Sequence, residues 1–190
     1  ELKSFFVFLS TDFVFDGERG MYTEDDVPKP VNYYGRTKME AEEAVKEYEY
    51  GWAIVRTVLV YGKNHSGHNN ILKIVKEKLV KGEEYNVVDD QVRTPTYVED
   101  LAKGIVSIIE KKASGVFHLS GKDILTPYQM AIKTAEHLEL DSSVLNKVTA
   151  ASFTQPAKRP LKTGLIIDKA RKELGFEPLT FEEGLKRTFS

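Results

Sequence analysis

Phe5-Phe6-Val7-Phe8-Leu9, followed directly by Ser10-Thr11-Asp12, decides the reading of this chain. Five consecutive apolar residues leave no polar face for water. Such a run suits a central strand of a parallel sheet, covered by helices on both sides. The two hydroxyls and the carboxylate then fall at its carboxyl end, where open α/β sheets place their ligands. A chain that opens on a central strand is expected to have lost what precedes that strand. Its bare edge is expected to pair with a second copy.

Outward from this strand, a polar loop with Asp16-Gly17 and Pro28-Lys29-Pro30 leads to a Glu- and Ala-rich helix over 33–50. The next β-branched run, Ala53 to Val60, predicts a strand over 53–60 closed by Tyr61-Gly62. Strand, helix and strand in that order imply a right-handed parallel βαβ unit. Beyond the loop at 63–70, Ile71, Leu72, Ile74, Val75 and Leu79 share one face of an amphipathic helix. Short strands are expected at 85–88 and 116–119, with a helix over 99–112 between them. Thr126-Pro127 is a cap followed by proline at the first helical position, opening a helix to about residue 140. The tail holds Leu165–Ile167, a helix opened by Asp168, and a last helix near 181–190.

Composition narrows the function classes. The 190 residues are 41% hydrophobic and 29% charged, the profile of a globular protein. With 27 Lys and Arg against 29 Asp and Glu, no basic surplus draws the chain to nucleic acid or to an anionic membrane. No apolar run approaches the roughly 20 residues needed to span a bilayer. Cysteine is absent, which removes disulfides, thiolate nucleophiles and Cys-based zinc sites. It also fits a reducing compartment, and a cytoplasmic location is expected.

Tyr34 and Lys38 stand four apart on the predicted helix, so phenol and ammonium point the same way. An ammonium beside a phenol favours the phenolate. Bringing a phenol from about 10 towards neutrality takes roughly 4 kcal/mol, more than one exposed ammonium supplies. The spacing alone is weak. Its position after a buried strand ending in Ser10-Thr11-Asp12 is what gives it meaning.

Several blocks now stand in order: Ser10-Thr11-Asp12-Phe13-Val14-Phe15-Asp16-Gly17, then Pro30-Val31-Asn32-Tyr33-Tyr34-Gly35-Arg36-Thr37-Lys38, then Val55-Arg56-Thr57 with Val60-Tyr61-Gly62. Asp90-Gln91 before Pro95-Thr96-Tyr97-Val98 and Arg159-Pro160 before Asp168-Lys169 complete the set. Together they resemble the extended short-chain dehydrogenases/reductases, and within them the dTDP-4-dehydrorhamnose reductase group. The resemblance covers nearly the whole chain. It implies an α/β fold: the C-terminal part of a Rossmann-type doubly wound parallel sheet plus a smaller α/β substrate-binding lobe. Residues 1–62 would be the C-terminal half of the NAD(P)-binding domain. Residues 63–190 would form mainly the smaller lobe, with 96–120 returning to the sheet.

The resemblance implies NAD(P)H-dependent reduction of the 4-keto group of a nucleotide-linked 6-deoxy sugar, as in dTDP-rhamnose biosynthesis. Tyr34 would protonate the sugar carbonyl oxygen, and Lys38 would lower its pKa and hold the nicotinamide ribose. Thr11 would hydrogen-bond the same oxygen, and Asp12 would tune that pair or orient the sugar. Ser10 and Thr57 would join Tyr34 and Lys38 at the cofactor, and Asn70 and Arg159 would join Thr11 and Asp12 at the substrate. NADPH and NADH are both admissible, since the strand end that chooses between them is not in this sequence. A homodimer is expected.

The chain departs from the family in three places. The glycine-rich turn that cradles a dinucleotide pyrophosphate is nowhere in the sequence, Leu59 stands where an aromatic often contacts the sugar, and Leu9 stands where Tyr is common. Residues 1–190 alone are therefore expected to bind NADPH very weakly, reduce nothing, and stay folded through self-association.

Other residues carry less. His65 and His68 lie three apart in a Gly/Asn loop without accompanying carboxylate or Cys spacing, so no metal is expected. His118 reads as a satisfied core histidine. Asn69 with Asn70, and Lys158 with Arg159, could hold a nucleotide diphosphate or be solvated surface. Glu40, Glu42 and Glu43 read as the polar face of the Tyr34 helix.

Three other functions compete. A dehydratase would follow the Thr-Asp pair with Glu, where Phe13 stands here, and an epimerase has a Ser/Ala-rich loop in place of Ser10-Thr11-Asp12. From a different class comes a non-catalytic regulatory subunit, because the β subunit of methionine adenosyltransferase also resembles these reductases. Retention of Thr11, Tyr34 and Lys38 together favours the enzyme.

Overall fold

The computed structural model describes residues 3–63, 70–154 and 157–190. The chain runs through β1 (Phe6–Thr11), α1 (Tyr33–Lys46), β2 (Trp52–Thr57), β3 (Val60–Tyr61), α2 (Ile71–Lys81) and β4 (Tyr85–Val88). It continues through β5 (Thr96–Tyr97), α3 (Val98–Lys111), β6 (Gly115–His118), α4 (Pro127–His137), β7 (Leu145–Val148), α5 (Asp168–Leu174) and α6 (Phe181–Phe189).

The main sheet has the order β1-β2-β6, parallel throughout, with Thr11 opposite Thr57 and Arg56 opposite His118. β2 is its buried centre: Ala53, Ile54 and Val55 are inaccessible to water. β1 starts one residue later and ends two residues later than the apolar run Phe5–Leu9, so Ser10 and Thr11 belong to the strand itself. Phe6 and Leu9 are nearly half exposed, and among the described residues β1 pairs only with β2.

Three expected boundaries move, each for a local reason. The strand expected over 53–60 breaks after Thr57, because Leu59 turns into the left-handed region at φ 34°. Val60 and Tyr61 then pair with Thr96 and Tyr97 in a separate two-stranded sheet. The helix expected over 33–50 ends at Lys46, where Tyr48 swings out to pack on Phe6 and Tyr50. The helix from Pro127 ends at His137 rather than near 140, since Glu139 adopts φ 53°. Its beginning is as expected: Thr126 and Gln129 form a reciprocal cap, as do Thr180 and Glu183 on α6.

A smaller α/β layer is built on the parallel pair β4-β7. Val75 and Leu79 of α2, Ala131 and Ala135 of α4, Val87 and Leu145 form its core. α5 does not join this lobe, although it follows it in sequence. Ile167, Ala170, Leu174 and Phe176 pack instead with Ala53, Val55, Phe117 and Leu119 against the main sheet. The apolar residues of α5 complete the cover over β2 and β6. No helix of the described residues is long and apolar enough to cross a membrane.

Glu42 corrects a sequence expectation. It does not belong to the solvated face of α1 with Glu40 and Glu43: its side chain is fully buried. Its carboxylate accepts from Arg56 Nη2 at 2.6 Å, from Arg56 Nε at 3.0 Å and from the Ser10 hydroxyl at 2.5 Å. The Arg56 guanidinium lies 5.1 Å from the centre of the Phe15 ring. Beside Arg56, His118 is buried with Nδ1 3.2 Å from the Tyr22 carbonyl, and Nε2 has no partner among the described residues. Burial, reinforced by the Arg56 charge, pushes the His118 pKa down to about 3.

Removing one partner of a buried ion pair strands the other charge, at a cost of about 3–5 kcal/mol. Glu42→Gln should therefore lower the unfolding free energy by about that amount in a denaturant titration. His118 makes stability depend on pH. An unfolded chain protonates it near 6.5 while the folded chain keeps it neutral to about 3, so stability is lost as pH falls through that window. The slope this group contributes should approach about 1.4 kcal/mol per pH unit and disappear in His118→Gln.

Candidate active site

The first turn of α1 is pressed against the turn that follows β1. Asn32 caps the helix by accepting from the Gly35 amide at 2.8 Å, and its Nδ2 donates to the Lys158 carbonyl at 2.8 Å. Gly35 permits the contact: a β-carbon there would stand 2.1 Å from the Phe13 carbonyl oxygen. This close approach sets Tyr34 beside Phe13, ring edge to face at 5.9 Å, with the phenol half exposed. One turn on, Lys38 Nζ donates to the Leu9 carbonyl at 3.0 Å and lies 4.9 Å from the centre of the Phe8 ring. Phenol and ammonium are thus both held at the carboxyl end of β1.

Thr11 and Asp12 lie in the same turn. Thr11 Oγ1 accepts from the Phe13 amide at 3.2 Å and donates to Asp12 Oδ1 at 3.1 Å. Asp12 is buried, accepts from the Thr163 hydroxyl, and has Arg93 Nε 4.0 Å away. Burial pushes its carboxyl above the usual range, while Arg93 and the two hydroxyls oppose that shift.

Asp12 opens onto a cleft of about 360 Å³ between the main sheet and the smaller layer. Phe13 and Leu59 come from the sheet side, Tyr85 and Val87 from β4, Gln91 and Arg93 from the connection to β5, and Phe153 and Arg159 from the tail. The strained φ of Leu59 is therefore found at the cleft wall, a place where left-handed backbone in a non-glycine residue is often tolerated. An acid, a cation and a hydroxyl at one rim suit polarisation and protonation of a carbonyl; the cationic cleft beside them suits an anion carried by an apolar or aromatic body.

The residues expected at the site divide. Asp12 and Arg159 line the cleft, Thr11 is bonded to Asp12, Tyr34 packs on the cleft residue Phe13, and Lys38 lies one turn further on at the Leu9 carbonyl. Ser10 and Thr57 do not offer their hydroxyls to the cleft: Ser10 donates to Glu42, and Thr57 to Thr96 Oγ1 at 3.2 Å. Asn70 lies elsewhere. Its Oδ1 caps α2 by accepting from the Lys73 amide, its Nδ2 donates to the Gly62 carbonyl, and it lines a different cleft with Lys73 and Lys76. Helix capping uses the oxygen of its amide and the Gly62 carbonyl uses the nitrogen. His65, His68 and Asn69 lie outside the described residues.

Sequence reasoning placed Gln91 only in a motif block, with no site role, and missed Arg93, Thr163 and Phe153. Gln91 and Arg93 carried a signal, two long polar side chains one residue apart just before Pro95. Thr163 carried none, since it meets Asp12 across 151 positions.

Comparisons with known proteins agree with this architecture. Subunit beta of mouse (Mus musculus) methionine adenosyltransferase 2 is 33% identical over 194 residues, covering 98% of this chain and 58% of its own length. A probable low-salt glycan biosynthesis reductase of Haloferax volcanii is 31% identical over 183 residues, covering 95% of this chain and 61% of its own. Among solved structures, the dTDP-4-dehydrorhamnose reductase of Bacillus anthracis in complex with NADP superposes with a TM-score of 0.88 at 34% identity, over 96% of this chain and 64% of that one. The chain thus spans less than two thirds of each of these proteins. The RmlD substrate binding domain model matches residues 1–190, and the chain belongs to that family.

Proposed function

We propose that the full-length protein reduces the 4-keto group of a nucleotide-linked 6-deoxy sugar, of the dTDP-4-dehydrorhamnose kind, using NADPH or NADH. One observation carries this reading: Tyr34 and Lys38 are held one helical turn apart at the carboxyl end of β1, beside the cleft that Asp12 and Arg159 line. Relatives named as reductases, one of them solved with NADP, support it.

The open phenol of Tyr34 and the ammonium of Lys38, fixed to the Leu9 carbonyl, fit a nicotinamide ribose approaching β1 from its exposed side. Bound there, the reduced nicotinamide would supply the hydride. Tyr34 gives its phenolic proton to the carbonyl oxygen as negative charge gathers on it, and Lys38 steadies the phenolate left behind. Thr11 holds the same oxygen. Asp12 accepts from the Thr11 hydroxyl at 3.1 Å and so fixes where that side chain stands beside the reacting oxygen. Arg159 faces the diphosphate. Ser10 and Thr57 act on the cofactor side only through the network that positions β1 and β2.

In this reading residues 1–62, with β6, belong to the cofactor-binding part, and the layer on β4-β7 supplies the substrate wall. The protein works in the cytoplasm as a homodimer, with neither nucleic acid nor membrane as partner.

A second reading is a subunit that binds a methionine adenosyltransferase, carried by the 33% identity to the mouse relative. The two separate on one assay, oxidation of NADPH by the full-length protein with dTDP-4-keto-6-deoxy sugar. The reductase should turn over; no turnover, together with a change in the activity of an added methionine adenosyltransferase, would establish the second reading instead.

For the enzyme, Tyr34→Phe should lower kcat at least about a hundredfold with KM little changed, since the proton is given in the transition state. Lys38→Met should weaken both turnover and cofactor binding. Wild-type turnover in Tyr34→Phe would remove Tyr34 from the role of acid.

A further inference from the structure

Arg93 looks at first like a phosphate receptor, a guanidinium lining the cleft beside Asp12. Its hydrogen bonds say otherwise. Nη1 donates to the carbonyls of Val92 at 2.8 Å and Leu161 at 2.7 Å. Nη2 donates to the Pro160 carbonyl at 2.8 Å and to Gln91 Oε1 at 3.2 Å. The four Nη protons are therefore spent inside the protein, and the fifth, on Nε, faces Asp12.

Two of these bonds run to one segment, the arm at 158–163. The same arm is gripped from other sides: the Val92 amide donates to Leu161, the Thr163 amide to Val92, the Lys162 amide to Gly17, and Asn32 to Lys158. Arg159 rides on this arm. Its guanidinium lines the cleft and has no hydrogen-bond or ion-pair partner among the described residues. Burial lowers the pKa of Arg93, Asp12 opposes this, and the Arg159 charge nearby lowers it further, so two cations converge at one end of the cleft. Among the described residues, one is saturated and the other is open.

We propose that Arg93 is a positioning residue that clamps the arm at 158–163 and so presents Arg159 to the diphosphate of the nucleotide sugar. The proposal rests on the reductase reading for the identity of that ligand; the clamp itself rests on the hydrogen bonds. Arg93 does not touch the substrate. A lysine cannot replace it, because a single ammonium cannot serve four acceptors in the plane that a guanidinium spans.

The test uses the full-length protein with Arg93→Lys, Arg159→Ala and the double variant. Each single substitution should raise KM for the dTDP-4-keto-6-deoxy sugar about tenfold and leave kcat within about threefold. The double variant should be no worse than Arg159→Ala, since a clamp has nothing to add once the residue it presents is gone. Hydrogen exchange at the Lys162 and Thr163 amides should quicken about tenfold in Arg93→Lys and stay unchanged in Arg159→Ala. If Arg93→Lys does not fold, Arg93→Gln, which keeps two donors, should show the same pattern.

Multiplying KM effects in the double variant would overturn the proposal, because Arg93 would then contact the ligand on its own. So would a fall in kcat without a rise in KM, or wild-type exchange at both amides. Absence of wild-type turnover would sink the reductase reading alone, and the clamp would then be judged by dTDP affinity in calorimetry across the same variants. If wild-type protein binds no dTDP, both ideas fall.

Discussion

Glu42 and Arg56 meet where water is excluded, and the placement of everything at the rim follows from that meeting. Glu42 is on α1, Arg56 on β2, and the Ser10 hydroxyl that completes the network is on β1. One carboxylate thus ties the helix to both strands it packs on. Desolvating two charges is costly, and the cost is offset only if the geometry holds. The pair therefore tolerates little rotation or sliding of α1. Tyr34 and Lys38 sit on that helix two turns and one turn before Glu42, so their reach over β1 is set by a contact that touches no ligand.

The same economy of polar groups governs the turn after β1. Thr11, Asp12, Thr163 and Arg93 bond mainly to one another and to backbone carbonyls, leaving Tyr34 and Arg159 as the outward-facing groups. Buried polar groups are usually satisfied in this way, and each satisfied group fixes the direction of its neighbour. The candidate site is thus a small set of open groups standing on a larger set of occupied ones.

Much of this was legible in the sequence where the signal was local. The apolar run before Ser10-Thr11-Asp12, the Thr126-Pro127 cap, and the four-residue spacing of Tyr34 and Lys38 all depend on neighbours along the chain. What was not legible depends on partners far apart in sequence. A Glu two turns past a tyrosine on a Glu-rich helix reads as solvated, and only the arrival of Arg56 buries it. Asn70 reads by its chemistry as a ligand-holding amide, yet the helix cap claims its oxygen and the Gly62 carbonyl its nitrogen. Ser10 and Thr57 were likewise placed in the right neighbourhood with their hydroxyls turned the other way. The break after Thr57 is hidden because Val58, Leu59 and Val60 continue an apolar pattern that the backbone does not follow.

The walls of the cleft belong to different cores. Phe13 and Leu59 are carried by the turns at the ends of β1 and β2, while Tyr85 and Val87 belong to the layer centred on β4-β7, with its own buried cluster. A substitution at Tyr85 or Val87 disturbs the packing of α2 and α4 and leaves the groups around Tyr34 where they are. In the reductase reading, selectivity for the body of the ligand and chemistry on its carbonyl therefore rest on separately packed parts of the molecule.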